Sequence, residues 1–285
     1  MVRIAIYMLA AFLTGCDAID MTGFVSPPSA DIDKRFEQSM RYISQNAVPS
    51  ATAQEAYSFY VCTDVHVNGT SRNLDRFMDS LRSDGGAAFG LILGDVIDSR
   101  GMMSVFADAL AFRPATQPRN LPVFVTLGNH DTFYSQWDDF RELFGASAYY
   151  IEVRSGTDTD LFIALDSASG TLGAKQARWL RDFLAGSRKQ YRHCIVFTHT
   201  NFFKTDGSQG ASGNFPLEET LALSELFDRH DVALVLQGHD HYREELLFRD
   251  VRYVIVGALE DGVRRPEYLR VTVSADGLEY DWKYL

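Results

Sequence analysis

Three features of the sequence predict an α/β fold. From about residue 56, short apolar runs alternate with amphipathic stretches, the pattern of strand followed by helix. The tail from Glu245 onward reads almost entirely as strands, which adds a β-rich second half. No Pro/Gly-rich linker separates these parts, so a single domain over 51–285 accounts for the alternation.

Element by element, the spacing predicts a strand over 57–62, then a helix carried by Leu74, Phe77, Met78 and Leu81. A strand over 89–93 leads to a helix over 102–112. Another over 122–127 leads to a helix marked by Trp137, Phe140, Leu143 and Phe144. Three such repeats predict a parallel sheet with helices on its faces. The middle changes character: 149–153 and 161–166 read as neighbouring strands joined through Ser155-Gly156. A helix over 174–184, a strand over 193–197, a polar Gly-rich loop over 201–216, a helix over 217–227 and a strand over 232–236 follow. The tail gives strands over 245–248, 252–256, 268–273 and 278–284, with Asp276-Gly277 as a hairpin turn.

Ahead of the domain, residues 1–15 read as a processing signal. Arg3 precedes an almost unbroken apolar run over 4–13, too short to cross a bilayer core of roughly 30 Å. The run ends in Leu13-Thr14-Gly15-Cys16, which resembles the bacterial lipobox. That resemblance implies lipid on Cys16 and an exported, membrane-anchored protein of the periplasm or cell envelope; a plain signal peptide is the alternative. Cleavage there changes the net charge from -11 to 26 minus 38, or -12. Asp17 resembles an inner-membrane retention signal. Residues 16–50 then read as a tether containing Ser26-Pro27-Pro28-Ser29 and one helix over 33–43.

Composition narrows the partners. With 46% hydrophobic residues the chain has ample material for a core. Its acidic balance argues against a nucleic-acid surface, which needs clustered Lys and Arg. Small phosphorylated molecules stay open as substrates, because bound cations invert the local field. Cys62 and Cys194 lie inside separate apolar runs and read as buried, unpaired thiols.

Five short motifs, each just after a predicted strand, carry the chemistry: Asp64-Val65-His66, Gly94-Asp95-Val96-Ile97-Asp98, Gly128-Asn129-His130-Asp131, Thr198-His199-Thr200 and Gly238-His239-Asp240-His241. In open α/β sheets ligands gather at the carboxyl ends of strands, so motifs distant in sequence meet along one edge. An extended backbone aims Asp64 with His66, and His239 with His241, in a common direction. Glycines before Asp95, Asn129 and His239 permit sharp turns. A set of carboxylates, imidazoles and an amide oxygen without thiolate suits two catalytic cations such as manganese, iron or zinc. Asp95 is a natural bridge, because its two oxygens can each serve a different cation. Such a pair acidifies a bridging water and neutralises phosphate oxygens.

In this order the motifs resemble the calcineurin-like metallophosphoesterase superfamily, over about 57–256. Singly, Asp-x-His and Gly-Asp-x-x-Asp carry little; Gly-Asn-His-Asp and Gly-His-Asp-His carry more, and the ordered set is specific. The resemblance implies a four-layer α/β/β/α sandwich of two mixed β-sheets, with a dinuclear metal site at the strand carboxyl ends. It implies one metal on Asp64, His66, Asp95 and His241, and a second on Asp95, Asn129, His199 and His239. His130 becomes the free histidine beside the substrate, and Asp131 the residue that orients it. The activity implied is phosphoester hydrolysis by a hydroxide bridging two metal ions, on a small phosphorylated substrate outside the cytoplasm. A phosphodiesterase on cyclic nucleotides or phospholipid headgroups is the alternative, and a lipid-anchored binding protein without catalysis a further one. Asp98, where a Tyr marks purple acid phosphatases, speaks against that subgroup.

The remaining candidates have plainer readings. Asp98 is as well read as a helix cap as a support for the site. Asp240 points to turn or solvent duty, and Asp166 carries no strong functional signal. His193 and His230 read as structural. Arg72 and Arg100 are within reach of a substrate phosphate, although surface exposure is the commoner fate. Phe133, Tyr134, Phe202 and Phe203 read as packing under loops.

Overall fold

The structure is a computed structural model that describes residues 31–111, 119–204 and 210–285. The signal segment, Cys16 and most of the expected tether lie outside the described residues. The first half of the fold runs α1 (Ile32–Gln45), β1 (Ser50–Ala53), β2 (Tyr57–Cys62), α2 (Arg72–Ser83), β3 (Ala87–Ile92), α3 (Met103–Ala111), β4 (Val123–Val125) and α4 (Trp137–Phe144). The second half runs β5 (Tyr149–Ser155), β6 (Asp158–Leu165), α5 (Gly173–Ser187), β7 (Cys194–Thr198), β8 (Phe203–Lys204), β9 (Gly210–Ala211), α6 (Leu217–Arg229), β10 (Leu234–Gln237), β11 (Glu244–Phe248), β12 (Val251–Ile255), β13 (Glu267–Ser274) and β14 (Gly277–Tyr284).

Two large sheets result. One has the order β1-β5-β6-β7-β10-β12-β11 and the other β14-β13-β2-β3-β4. Strand alternation decides how they pack. On β2, Phe59 and Val61 face the other sheet while Tyr60 and Cys62 face helices. Phe59, Val61, Phe89 and Leu91 meet Phe162, Ile195, Phe197 and Leu236 between the sheets. Phe77, Leu81, Phe106 and Phe140 cover the outer face of the five-stranded sheet. Leu180, Leu184, Leu223 and Phe227 cover the outer face of the seven-stranded one. The order helix, sheet, sheet, helix is the expected four-layer α/β/β/α sandwich. The three strand–helix repeats place helices on one face of their sheet only, because the second sheet occupies the other.

The expected division at residue 51 does not mark a structural break. β1 begins at Ser50 and pairs parallel with β5, from Ser50 opposite Glu152 to Ala53 opposite Ser155. α1 is bound to the body rather than standing between tether and domain. Its Arg35, fully buried, forms a bidentate pair with Asp166 at 2.8 and 3.0 Å. Phe36 packs on Trp179, and Gln38 accepts the Trp137 indole N–H at 2.7 Å. Part of the expected 201–216 loop forms a short hairpin, β8 with β9. Cys62 and Cys194 are free and buried, as expected. Among the described residues no helix is long and apolar enough to cross a membrane.

Candidate metal centre

β2, β3 and β4 are parallel neighbours, as are β7 and β10, so their carboxyl ends share one edge. The five motifs leave those ends and converge there. Asp64, His66 and His241 form one group of donors, and Asp95, His199 and His239 a second. His241 Nε2 lies 3.3 Å from both Asp64 Oδ1 and His66 Nε2. His199 Nε2 lies 3.0 Å from Asn129 Oδ1, 3.2 Å from His239 Nδ1 and 3.3 Å from Asp95 Oδ2. All seven expected ligands are therefore brought together.

Asp95 joins the groups differently from the expectation of one oxygen for each. Its Oδ2 faces both sides, 3.8 Å from His66 Nε2 and 3.3 Å from His199 Nε2. Its Oδ1 accepts the His130 backbone N–H at 2.9 Å.

The local backbone also differs from the extended segments expected. Asp64, His66, Asp95, His239 and His241 have φ of 49, 46, 48, 78 and 63°. Non-glycine residues rarely adopt this left-handed region, and such strain concentrates at functional sites. The common aim of Asp64 with His66 thus comes from tight turns, not from strand alternation. Two glycines make the turns possible by close approach: a Cβ on Gly128 would strike Asp95, and one on Gly238 would strike the side chains of Thr63 and Asp64.

The donor set fits cations. His199 Nδ1 lies 2.9 Å from the Leu93 carbonyl, so a neutral ring donates there and leaves a lone pair on Nε2. That lone pair faces the Asn129 and Asp95 oxygens, also lone-pair bearers. Asp64 Oδ1 is buried and takes no hydrogen bond. Such a convergence is repulsive unless a cation or extra protons occupy it. Accordingly, without metal the cluster holds protons: burial pulls His66 and His199 down, but the Asp64 and Asp95 carboxylates outweigh it and hold both at about 9. Burial raises Asp64 and Asp95, yet the facing imidazoles carry both below the usual carboxylate range. His239 falls to about 4, from burial and from the His199 charge.

His130 stands on the open side. Its Nε2 lies 4.0 Å from Asp95 Oδ2, near enough to form a further donor group with His66 and Asp95. Asp131 does not have the orienting role expected of it. Its Oδ1 accepts from the Val96 and Ile97 N–H groups at 2.9 and 3.3 Å, and its Oδ2 from the Gly128 N–H at 2.9 Å. Asp131 thus staples the two ligand loops together from below. Burial and the Asp95 charge push its carboxyl up to about 7, against the Gly128 and Val96 N–H groups and the His199 charge. The carboxylate beside the imidazole is Asp98, whose Oδ1 lies 3.6 Å from His130 Nδ1 and 3.9 Å from His66 Nδ1. The sequence did carry a signal for it, an acid three residues after Asp95.

Asp240 is more than a solvent residue: its carboxylate accepts from the Asn201 and Asn214 amides at 2.6 and 3.2 Å, fastening the 201–216 loop to the histidine turn. His193 bonds the Ser274 carbonyl at 2.8 Å at the amino end of β7, and His230 caps α6; neither joins the cluster. Phe202 and Phe203 are buried, and the Phe133 ring lies 4.9 Å from that of His130. The Tyr134 side chain lies outside the described residues.

A sandwich with two linked His/Asp donor groups at its strand ends defines a metal-dependent phosphoesterase. The chain belongs to the calcineurin-like phosphoesterase family, whose model matches residues 57–243. Among curated proteins none matches it by sequence. Solved structures share its fold. Plasmodium GAP50, the anchor in the inner membrane complex, is 12% identical at a TM-score of 0.58, covering 81% of this chain and 85% of that one. A putative 5'-nucleotidase from Staphylococcus aureus is 17% identical at 0.56, over 81% of this chain and 54% of that one. A dimetal phosphatase from Danio rerio is 13% identical at 0.51, over 79% and 98%. At these identities the likeness is one of fold.

Proposed function

We propose that the chain hydrolyses a phosphoester of a small molecule outside the cytoplasm, held at a membrane through lipid on Cys16. The observation that carries the catalytic part is the convergence of lone pairs around Asp95 Oδ2, with His130 left on the open side. Cations bound there supply polarisation of the phosphate oxygens and a lowered water pKa. Asp64, His66, Asp95 and His241 would hold one cation, and Asp95, Asn129, His199 and His239 the other; manganese, iron and zinc all suit these donors. The chain's own residues do the rest. Asp98 sets its carboxylate 3.6 Å from His130 Nδ1 and leaves Nε2 on the substrate side. With a proton on Nε2, His130 binds a phosphate oxygen or delivers that proton to the leaving oxygen.

The side chains of His241 and Asp98 are 44% and 46% exposed, whereas His199 and Asp64 are 0% exposed. Substrate therefore approaches over His130 and His241. That open mouth favours a second reading, a phosphodiester whose extra arm lies outside the cluster. A panel of phosphomonoesters, cyclic nucleotides and glycerophosphodiesters, run with manganese, zinc and iron, tests both. Turnover confined to diesters selects the second reading, and none with any metal sinks both.

The apolar run over 4–13 and its Leu-Thr-Gly-Cys ending support the envelope location. Radiolabelled palmitate on the wild type but not on Cys16→Ser is the expected result. Labelling of both chains rules out the lipid assignment.

A further inference from the structure

At the start of α2 lies a cavity of about 500 Å³ lined by Arg72, Arg76, Arg264 and Arg265, with Asp261 and the chain-terminal Leu285 as the acids among them. Four arginines around one cavity stand out in a chain of net charge -11. Asp261 is already engaged: it accepts from the Thr70 hydroxyl and from the Arg72 and Asn73 N–H groups, and so closes the start of α2 itself. Arg265 lies over the Tyr284 ring, 4.3 Å from its centroid. Arg76 and Arg264 have no carboxylate partner among the described residues. The cavity therefore offers guanidinium groups in excess of the acids around it. Stacked or converging guanidinium groups recognise phosphate and carboxylate in pairs of hydrogen bonds.

The cavity adjoins the mouth of the metal centre through a short series of contacts. Asn68 reaches Asp98, the neighbour of His130, at 3.5 Å. Two residues on, Thr70 bonds Asp261, which pairs with Arg72 at 3.3 Å. The opposite wall springs from the same place, since the Leu259 N–H bonds the Asp64 carbonyl at 3.2 Å two residues before Asp261. Both walls thus leave the motif that carries Asp64 and His66.

We propose that this cavity holds a second anionic group, phosphate or carboxylate, of a substrate whose phosphoester lies at the metal centre. This rests on the phosphoesterase reading above and narrows the substrate to molecules with two separated anionic groups. Linking two such contacts in one molecule raises the effective concentration of the second, provided the spacer spans the gap.

The test uses the metal-loaded full chain with alkanediol bisphosphates of increasing length, each against the alkyl monophosphate of equal length. The expected result is a kcat/KM about tenfold or more higher for the bisphosphate at one favoured length. Arg76→Gln with Arg264→Gln abolishes that advantage while alkyl monophosphate turnover and metal content stay unchanged. Equal turnover at every length, or an advantage that survives in the double variant, overturns the inference. So does binding to phosphatidylglycerol vesicles that the variant loses without any bisphosphate preference, which assigns the arginines to a membrane instead. Absence of turnover on every compound overturns the phosphoesterase reading alone. Calorimetric titration of the same bisphosphates into wild type and variant then decides the cavity: tighter binding by the wild type supports it, and equal binding overturns it.

Discussion

Two buried charged clusters sit at carboxyl ends of adjacent strands, and they are built on opposite principles. Asp166 follows β6 and His199 follows β7, strands paired with Leu165 opposite Thr198. Around Asp166 every polar atom is matched. Arg35 binds both its oxygens, and the Ser147 hydroxyl and Ala168 N–H add bonds at 2.8 and 3.2 Å. The Gln176 amide holds its backbone N–H and carbonyl. Around His199 the donors face one another instead. Asp64 Oδ1 is left without a hydrogen bond, and five ligand residues adopt left-handed backbone. At their centres Arg35 and Asp166 are as buried as Asp64, Asp95 and His199, so burial alone does not separate a structural charge from a functional one. Internal satisfaction does: the first cluster is complete, and the second requires something from outside.

The sharpest way to break this contrast is to remove one central group from each cluster and read both stability and metal. Asp95→Asn is expected to lower kcat/KM about ten-thousandfold, about 5 kcal/mol of transition-state stabilisation. Its metal content falls, and the metal-induced rise in melting temperature seen in the wild type shrinks. Arg35→Met acts on the other quantity. It strands the Asp166 carboxylate in the interior and costs about 3–5 kcal/mol in urea unfolding, with metal content intact. Asp166→Leu added to it restores part of that loss, because a buried pair replaced as a whole costs less than one broken in half. Metal loss in Arg35→Met, or full activity in Asp95→Asn, removes the distinction.

The two clusters also differ in how far the sequence announces them. The metal ligands sit in short motifs after apolar runs, so their convergence follows from the strand-end rule. The strands themselves were legible because β2 and β3, buried on both faces, are almost continuously apolar. Arg35 and Asp166 lie 131 residues apart, and no local pattern joins them. A faint signal existed in the arginine preceding Phe36 on a face that also carries Ser39, all three buried. β1 carries no strand signal, because Ser-Ala-Thr-Ala lacks the large side chains that mark a strand. Asp131 misled through adjacency: it follows His130, but the 3₁₀ turn over His130–Ser135 directs its carboxylate to the neighbouring loop. The left-handed ligand backbones are not legible in the sequence, because Asp and His are only somewhat enriched in that region and occur far more often outside it.

A smaller effect tests which acid serves the open side of the metal centre. His130→Ala is expected to reduce kcat about a hundredfold, in the range of a lost proton donor, with both metals retained. Asp98→Asn, which leaves a neutral amide beside Nδ1, gives a loss of about tenfold and shifts the pH profile of kcat. Asp131→Asn is expected to act through stability and metal affinity, because its oxygens hold backbone N–H groups rather than the imidazole. A lost metal in His130→Ala would make that residue a ligand. A pH profile displaced by Asp131→Asn and not by Asp98→Asn would reverse the two acids.

The gentlest distinction is a slope against pH. In the metal-free protein His66 and His199 are held at about 9 by the facing carboxylates, which outweigh burial. A histidine raised above its unfolded value near 6.5 binds its proton more tightly in the folded state. Its contribution to stability is therefore complete below about pH 6.5 and lost as pH rises through 9. Metal-free protein should consequently melt at lower temperature as pH increases from 7 to 9. Metal competes for the same lone pairs, so uptake at pH 7 displaces protons, and apparent affinity rises by up to about tenfold per pH unit for each one displaced. The Arg35–Asp166 cluster contains no imidazole, so a metal-loaded sample should lose the slope while keeping that pair. Proton release measured by calorimetry in buffers of different ionisation heat checks the count. Metal binding that releases no protons at pH 7 would mean that something other than protons holds the converging donors together.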